Sequence, residues 1–100
     1  NMYEIKKYSY DKINELNKKL NTNSFFIKPS TTKKIRVYKN NKLISEIGEM
    51  GMSDYPTYIE TDGIDFANTR RIAFYNRFKS IPNIKDGELT NMFWARYLLW

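Results

Sequence analysis

The stretch IDFANTRRIAFYNRFK, Ile64 to Lys79, is the one around which the fold is read. Asp65 can accept the first free backbone N–H groups of a helix, so a helix is predicted from Asp65 to Lys79. Phe66, Ala67, Ala73, Phe74 and Phe78 fall in one broad apolar stripe at helical spacing. Arg70 lies one turn after Phe66, and Arg77 lies seven residues after Arg70, so both point near the middle of that stripe. A buried, unpaired charge is too costly to persist. Arg70 and Arg77 are therefore expected to form structural ion pairs with internal acids. Asp54, Glu46 and Glu60 are the candidates, and the Asp54 loop is the segment expected to bring a carboxylate to them. The competing reading of Arg70, Arg71 and Arg77, beside Tyr75 and Asn76, is recognition of a phosphate or carboxylate through paired guanidinium hydrogen bonds. Arg71 faces further out and is the one assigned to an external anion.

Outward from this helix, the clearest pattern is KKIRVYK, Lys33 to Lys39, where Ile35 and Val37 alternate with Arg36 and Tyr38. Asn40-Asn41 supplies turn residues, and Lys42 to Ile47 returns as a second strand of a β-hairpin. Phe25, Phe26 and Ile27, before Pro29, suggest one further short strand within Thr22–Lys28. Met2–Tyr8 fits another. After Ser9 as cap, Ile13, Leu16 and Leu20 make a helical stripe that Asn21 can end. Gly48 and Gly51 bracket a loop, and Asp54-Tyr55-Pro56 has turn chemistry. Thr90 caps a final helix, NMFWARYLLW, that is apolar nearly all round. These elements imply an α+β fold: a small antiparallel sheet with a central β-hairpin, packed against two or three helices, the Ile64 and C-terminal helices on one side. The 100 residues are read as a single domain, with residues 1–28 as an N-terminal βα extension before a core of 33–100.

The chain has no Cys and no His, which excludes disulfides, thiolate metal sites and a His-based triad. No catalytic residue, metal or cofactor is implied. No apolar run reaches membrane-spanning length, so no membrane partner is expected. The formal charge is +6, from 17 Lys+Arg against 11 Asp+Glu, which favours polyanions. Lys33, Lys34, Arg36, Lys39 and Lys42 make the hairpin's outer face basic. A two-stranded ribbon of that kind can enter a DNA groove, although lysines also guard edge strands against aggregation. The nucleic-acid contacts expected from sequence are Lys33, Lys34, Arg36, Lys42 and Arg71. Glu46, Glu49, Asp54, Glu60, Asp62 and Asp65 raise a metal-dependent nuclease as a lesser reading, but their spacing matches no metal loop. The aromatic end supplies a third reading, an assembly protein docking on a partner surface or a second copy of itself through Trp94, Tyr97 and Trp100.

Taken in order, KIRVY, ISEIGEMGMSDY, RRIAFYNRF and FWARYLLW resemble a small uncharacterised protein family of large DNA viruses and related genomes. The resemblance spans roughly Lys33–Trp100; GMSDY and FWARYLLW are its specific pieces. The chain departs from the pattern at Arg77-Phe78, where Arg-His is usual, and at ETDGID, which looks like an insertion. The resemblance implies a viral or phage source, in host cell interior or virion, and adds no mechanism. A non-enzymatic viral protein that contacts nucleic acid, or a structural protein of the virion, is the expectation.

Overall fold

The computed structural model describes residues 1–100 and is α+β. In chain order the elements are α1 (Lys7–Lys19), β1 (Phe25–Pro29), β2 (Ile35–Lys39), β3 (Lys42–Ile47), α2 (Tyr55–Asp62), α3 (Ile64–Arg77), β4 (Ile84–Lys85), β5 (Glu88–Leu89) and α4 (Asn91–Leu99). Strands β1, β2 and β3 form an antiparallel sheet in that order; β4 and β5 form a separate small hairpin. The β2–β3 turn is made by Asn40 at φ 51° and Asn41 at φ 64°, the positive-φ pair a tight two-residue hairpin needs. Ile44 is the extra residue of a bulge, since Val37 opposes Ser45 while Tyr38 opposes Leu43.

The alternation read in β2 divides the sheet into two faces. Phe25, Ile27, Ile35, Val37 and Ile47 point inward and are buried with Ile5 and Ile13 from the N-terminal side and Trp94, Leu98 and Leu99 from α4. The sheet is thus covered by α1 and α4. Two side-chain-to-backbone hydrogen bonds, the first of them buried, lock these helices together. Ser9 Oγ donates to the Leu98 carbonyl at 2.6 Å, satisfying one of the acceptors a helix end leaves open. Tyr97 Oη donates to the Lys12 carbonyl at 2.9 Å.

Three expectations are corrected here. Met2–Tyr8 is not a strand: its first residues are extended chain, and α1 already begins at Lys7. Ile5, Ser9, Ile13 and Leu16 continue one another at helical spacing, and the polar Ser9 hid that stripe. Asp54-Tyr55-Pro56 does not merely turn. Asp54 caps α2, its Oδ1 accepting from Thr57 N–H at 3.1 Å, with Pro in the first turn where no N–H is needed. Helix α3 is not the centre of the fold. Ala67 is its buried residue, while Phe66 is 47% and Ile72 64% exposed. Gly63 precedes α3 and Asp65 sits inside its first turn, where the carboxylate complements the helix dipole without capping it. α3 leans on α2 and on the end of α4: Phe66 meets Tyr58 edge-on, and Phe74 stacks on Trp100 at 4.4 Å between centroids.

Arg96 and Thr90 tie down segment 78–90. Arg96 donates to the carbonyls of Phe78 and Ile81, both at 2.8 Å, and to Asn83 Oδ1 at 2.6 Å. Thr90 caps α4, as read from sequence, accepting from Phe93 N–H at 3.1 Å, and also donates to the Pro82 carbonyl.

Candidate functional site

The outer face of the sheet has no helix on it. Its side chains form a grid fixed by strand register. Phe26, Tyr38 and Leu43 make one row across β1, β2 and β3; Lys28, Arg36 and Glu46 make the next. In the first row the Phe26 and Tyr38 rings are stacked, 4.8 Å apart and within 3° of parallel. Lys28 Nζ lies 5.8 Å from the Phe26 centroid and 6.0 Å from that of Tyr38, so one ammonium flanks both rings. In the second row Arg36 Nε donates to Glu46 Oε2 at 3.2 Å, and Ser30 Oγ donates to the same oxygen at 2.7 Å. The Ser30 hydroxyl first, then Arg36, holds the Glu46 carboxyl below its usual range. Arg36 also reaches Thr31 Oγ1, which leaves its plane fixed over the face.

Of the residues assigned to nucleic acid from sequence, Lys33 and Arg36 are on or beside this sheet surface and reachable from solvent, whereas Lys42 is exposed but shares the row of inward-facing Phe25 through Lys39, on the opposite face. Lys34 is not. It is 4% exposed, and its ammonium donates to Asp54 Oδ2 at 2.8 Å and to the Met52 carbonyl. Strict alternation would turn Lys34 outward with Arg36. Instead the backbone there bonds to the Ile47 and Gly48 carbonyls, and the lysine stem runs beneath Gly48. Arg71 is on the other side of the molecule, among the helices, with its guanidinium 4.7 Å from the Tyr55 ring centroid. The hairpin and α3 do not make one basic stripe.

Asp54 is the hub of an internal knot, but its partner is Lys34 and not an α3 arginine. Tyr3 Oη donates to Asp54 Oδ2 at 2.7 Å, and Lys34 Nζ lies 5.1 Å from the Tyr3 ring centroid. Burial by itself would raise the Asp54 carboxyl, yet hydrogen bonds from Lys34, Thr57 and Tyr3 bring it below its ordinary value. Burial, and then Asp54, push the Tyr3 phenol strongly up. The other ion pairs are Lys6–Glu60, Lys7–Asp11 and Arg36–Glu46; Arg70 and Arg77 join none. The expectation for these two arginines is overturned because the stripe they share never meets the core: both are exposed, Arg70 over the Tyr58 ring and Arg77 over that of Phe78.

The proposed docking surface is corrected as well. Trp94 is 1% exposed in the main core, against Phe25 and Phe93. Tyr97 is tied to α1, and Trp100 lies between Phe74 and Tyr58. The aromatic load of α4 is spent inside the domain, which explains a helix apolar nearly all round. Glu46, Asp54 and Glu60 pair with Arg36, Lys34 and Lys6, and no three carboxylates converge as a metal cluster. No helix is long and apolar enough to cross a membrane.

Compared with protein-family models, curated proteins and solved structures, the chain finds no match in any of the three. The likeness to a viral family therefore stands on its quoted motifs alone.

Proposed function

We propose that the protein binds single-stranded nucleic acid on the outer face of the β1–β2–β3 sheet. One observation carries the reading: a stacked Phe26–Tyr38 pair on a sheet face that no helix covers, with Lys28 flanking both rings. Aromatic rings accept any base by stacking, and cations beside them meet the backbone phosphates. Arg36 and Lys33 extend the cationic rim, and the net charge of +6 favours approach of a polyanion. Glu46 restrains this surface: it neutralises Arg36 and holds its plane in place. The alternative, that Phe26 and Tyr38 are only a cross-strand pair supporting the sheet, is separable by experiment. A viral setting is proposed from the motif likeness and from nothing in the fold.

Fluorescence anisotropy with a labelled mixed-sequence oligonucleotide tests the proposal. With about three phosphate contacts, log K against log salt should fall with a slope of about −2. Tyr38→Ala should weaken binding by about 1–3 kcal/mol if a base stacks there. Absence of binding at low salt, or equal binding by Tyr38→Ala and Lys28→Ala, defeats it.

A further inference from the structure

A second surface, on the helical side, collects four tyrosines and two unpaired cations. Tyr8 and Lys12 come from α1, Tyr55 from α2, Arg71 and Tyr75 from α3, and Tyr97 from α4. Lys12 Nζ is 5.6 Å from the ring centroids of both Tyr8 and Tyr97. Tyr8 meets Tyr55 edge-on at 5.7 Å. Arg71 stands 4.7 Å from the Tyr55 centroid and 6.0 Å from that of Tyr75. Neither cation belongs to any of the ion pairs, and arginine side-chain hydrogen bonds are made by Arg36 and Arg96 alone.

Three of the four phenols are already committed. Tyr55 donates to Asn68 Oδ1 at 2.7 Å, Tyr75 to the Arg96 carbonyl at 3.3 Å, and Tyr97 to the Lys12 carbonyl. The Tyr8 hydroxyl is the one without a protein partner; the ring is half-buried, and the hydroxyl is open to solvent near the Arg71 charge. Burial raises the Tyr8 phenol, with Arg71 opposing, so it stays a proton donor at neutral pH. Glu15, on the same face of α1, is the carboxylate that faces this strip; Asp11 is held by Lys7. Beside Arg71 a shallow hollow of about 360 Å³ is lined by Arg71, Ile72, Tyr75 and Asn76.

We propose that this strip is a site for the phosphoryl group of a nucleotide. Arg71 supplies the planar fork that grips two phosphoryl oxygens, held in place by the rings on either side of it. The free Tyr8 hydroxyl donates to a third oxygen, and Lys12 adds charge. The exposed flank of Tyr75 offers the base a ring to stack on. A carboxylate would leave one of these donors unused, and a phosphoryl group without a base would leave the hollow by Tyr75 empty. The site does not depend on the sheet reading, because the two surfaces share no residue.

The test is a chemical-shift titration of the full chain with a nucleoside 5′-monophosphate, inorganic phosphate, and one short oligonucleotide in 5′-phosphorylated and 5′-hydroxyl forms. The expected result is saturable shifts at Tyr8, Lys12, Arg71 and Tyr75 with the phosphorylated ligands, with inorganic phosphate at least tenfold weaker. Arg71→Lys should weaken binding about tenfold, since an ammonium cannot grip in two places. Tyr8→Phe, which removes one hydroxyl and no packing, should weaken it several-fold. Tyr38→Ala, on the sheet, should leave it unchanged. Saturation by the mononucleotide identifies a free-nucleotide site; saturation by the 5′-phosphorylated strand alone identifies a strand-end site. No shift at these residues, equal binding of inorganic phosphate, or equal binding by Arg71→Lys overturns the proposal. Loss of both oligonucleotides in Tyr38→Ala with mononucleotide binding intact concerns the sheet alone.

Discussion

Replacing Asp54 by asparagine keeps the shape of the side chain and an oxygen for the Thr57 N–H, but removes the charge that faces Lys34. The ammonium of Lys34 is then left 4% exposed, with the Met52 carbonyl and the Tyr3 ring as its company. Removing one member of a buried pair costs about 3–5 kcal/mol, because the other charge stays desolvated. Against a total of roughly 5–15 kcal/mol for a domain of this size, that is a large share. Asp54→Ala should cost about 1 kcal/mol more, through the lost cap of α2. Lys34→Met together with Asp54→Asn should recover much of the loss, with an interaction energy of up to about 3 kcal/mol. Urea unfolding followed by the fluorescence of buried Trp94 is the assay. With a slope of about 1 kcal/mol/M, Asp54→Asn should move the midpoint down by about 3 M or more. A loss under about 1 kcal/mol, with no recovery in the double variant, would refute the claim that Lys34 without Asp54 is a buried, uncompensated charge.

The same knot sets a pH dependence. The Asp54 carboxyl is lowered, so its contribution is present above about pH 4 and is lost as pH falls through the lower folded value; Asp54→Asn should flatten that acid limb in urea midpoints measured against pH. The Tyr3 phenol is raised, so its contribution is whole below about pH 10 and fades above it, where the unfolded chain ionises first; Tyr3→Phe should remove that alkaline loss. Gly48→Ala should cost about 2–4 kcal/mol by thermal unfolding: φ is +87°, and the added Cβ would lie 2.7 Å from Lys34 Cβ and 2.8 Å from Leu99 Cδ1. Gly51→Ala, at φ +86° in open space, should cost only about 1 kcal/mol. Arg96→Lys should speed amide exchange across residues 78–90, because an ammonium cannot reach three acceptors spread over Phe78, Ile81 and Asn83; unchanged protection would show that the segment is held by other contacts.

Much of the architecture was legible because it rests on short-range chemistry. The Ile35/Val37 alternation, the Asn40-Asn41 turn and the Thr90 cap each declare themselves within a few residues. The errors have a common cause. Periodicity tells which residues share a face, but not whether that face meets the core. Phe66, Phe74 and Phe78 share a stripe with Arg70 and Arg77, yet the stripe leans on α2 and Trp100 and stays largely open. Conversely, Lys34 reads as surface by type and by alternation, and only Gly48 and Asp54, far along the chain, draw it inside. The candidate surfaces were half visible. Arg71 was read as the most outward of the α3 arginines, but it lies against Tyr55 and is less exposed than Arg70 and Arg77, and Phe26 was read merely as part of an apolar run. Its facing of Tyr38 depends on strand register, as the placing of Tyr8 against Tyr55 depends on how α1 meets α2.

The bond from Ser9 to the Leu98 carbonyl spans 89 residues, and it has a kinetic consequence. The sheet is finished once Ile47 is made, but its greasy side waits for Leu99. At ribosomal speeds of 5–20 residues per second that wait lasts roughly 3–10 s. For that interval a nascent chain carries a formed hairpin whose back only α1 can cover, and whatever sits near the exit tunnel sees the open half before α4 does.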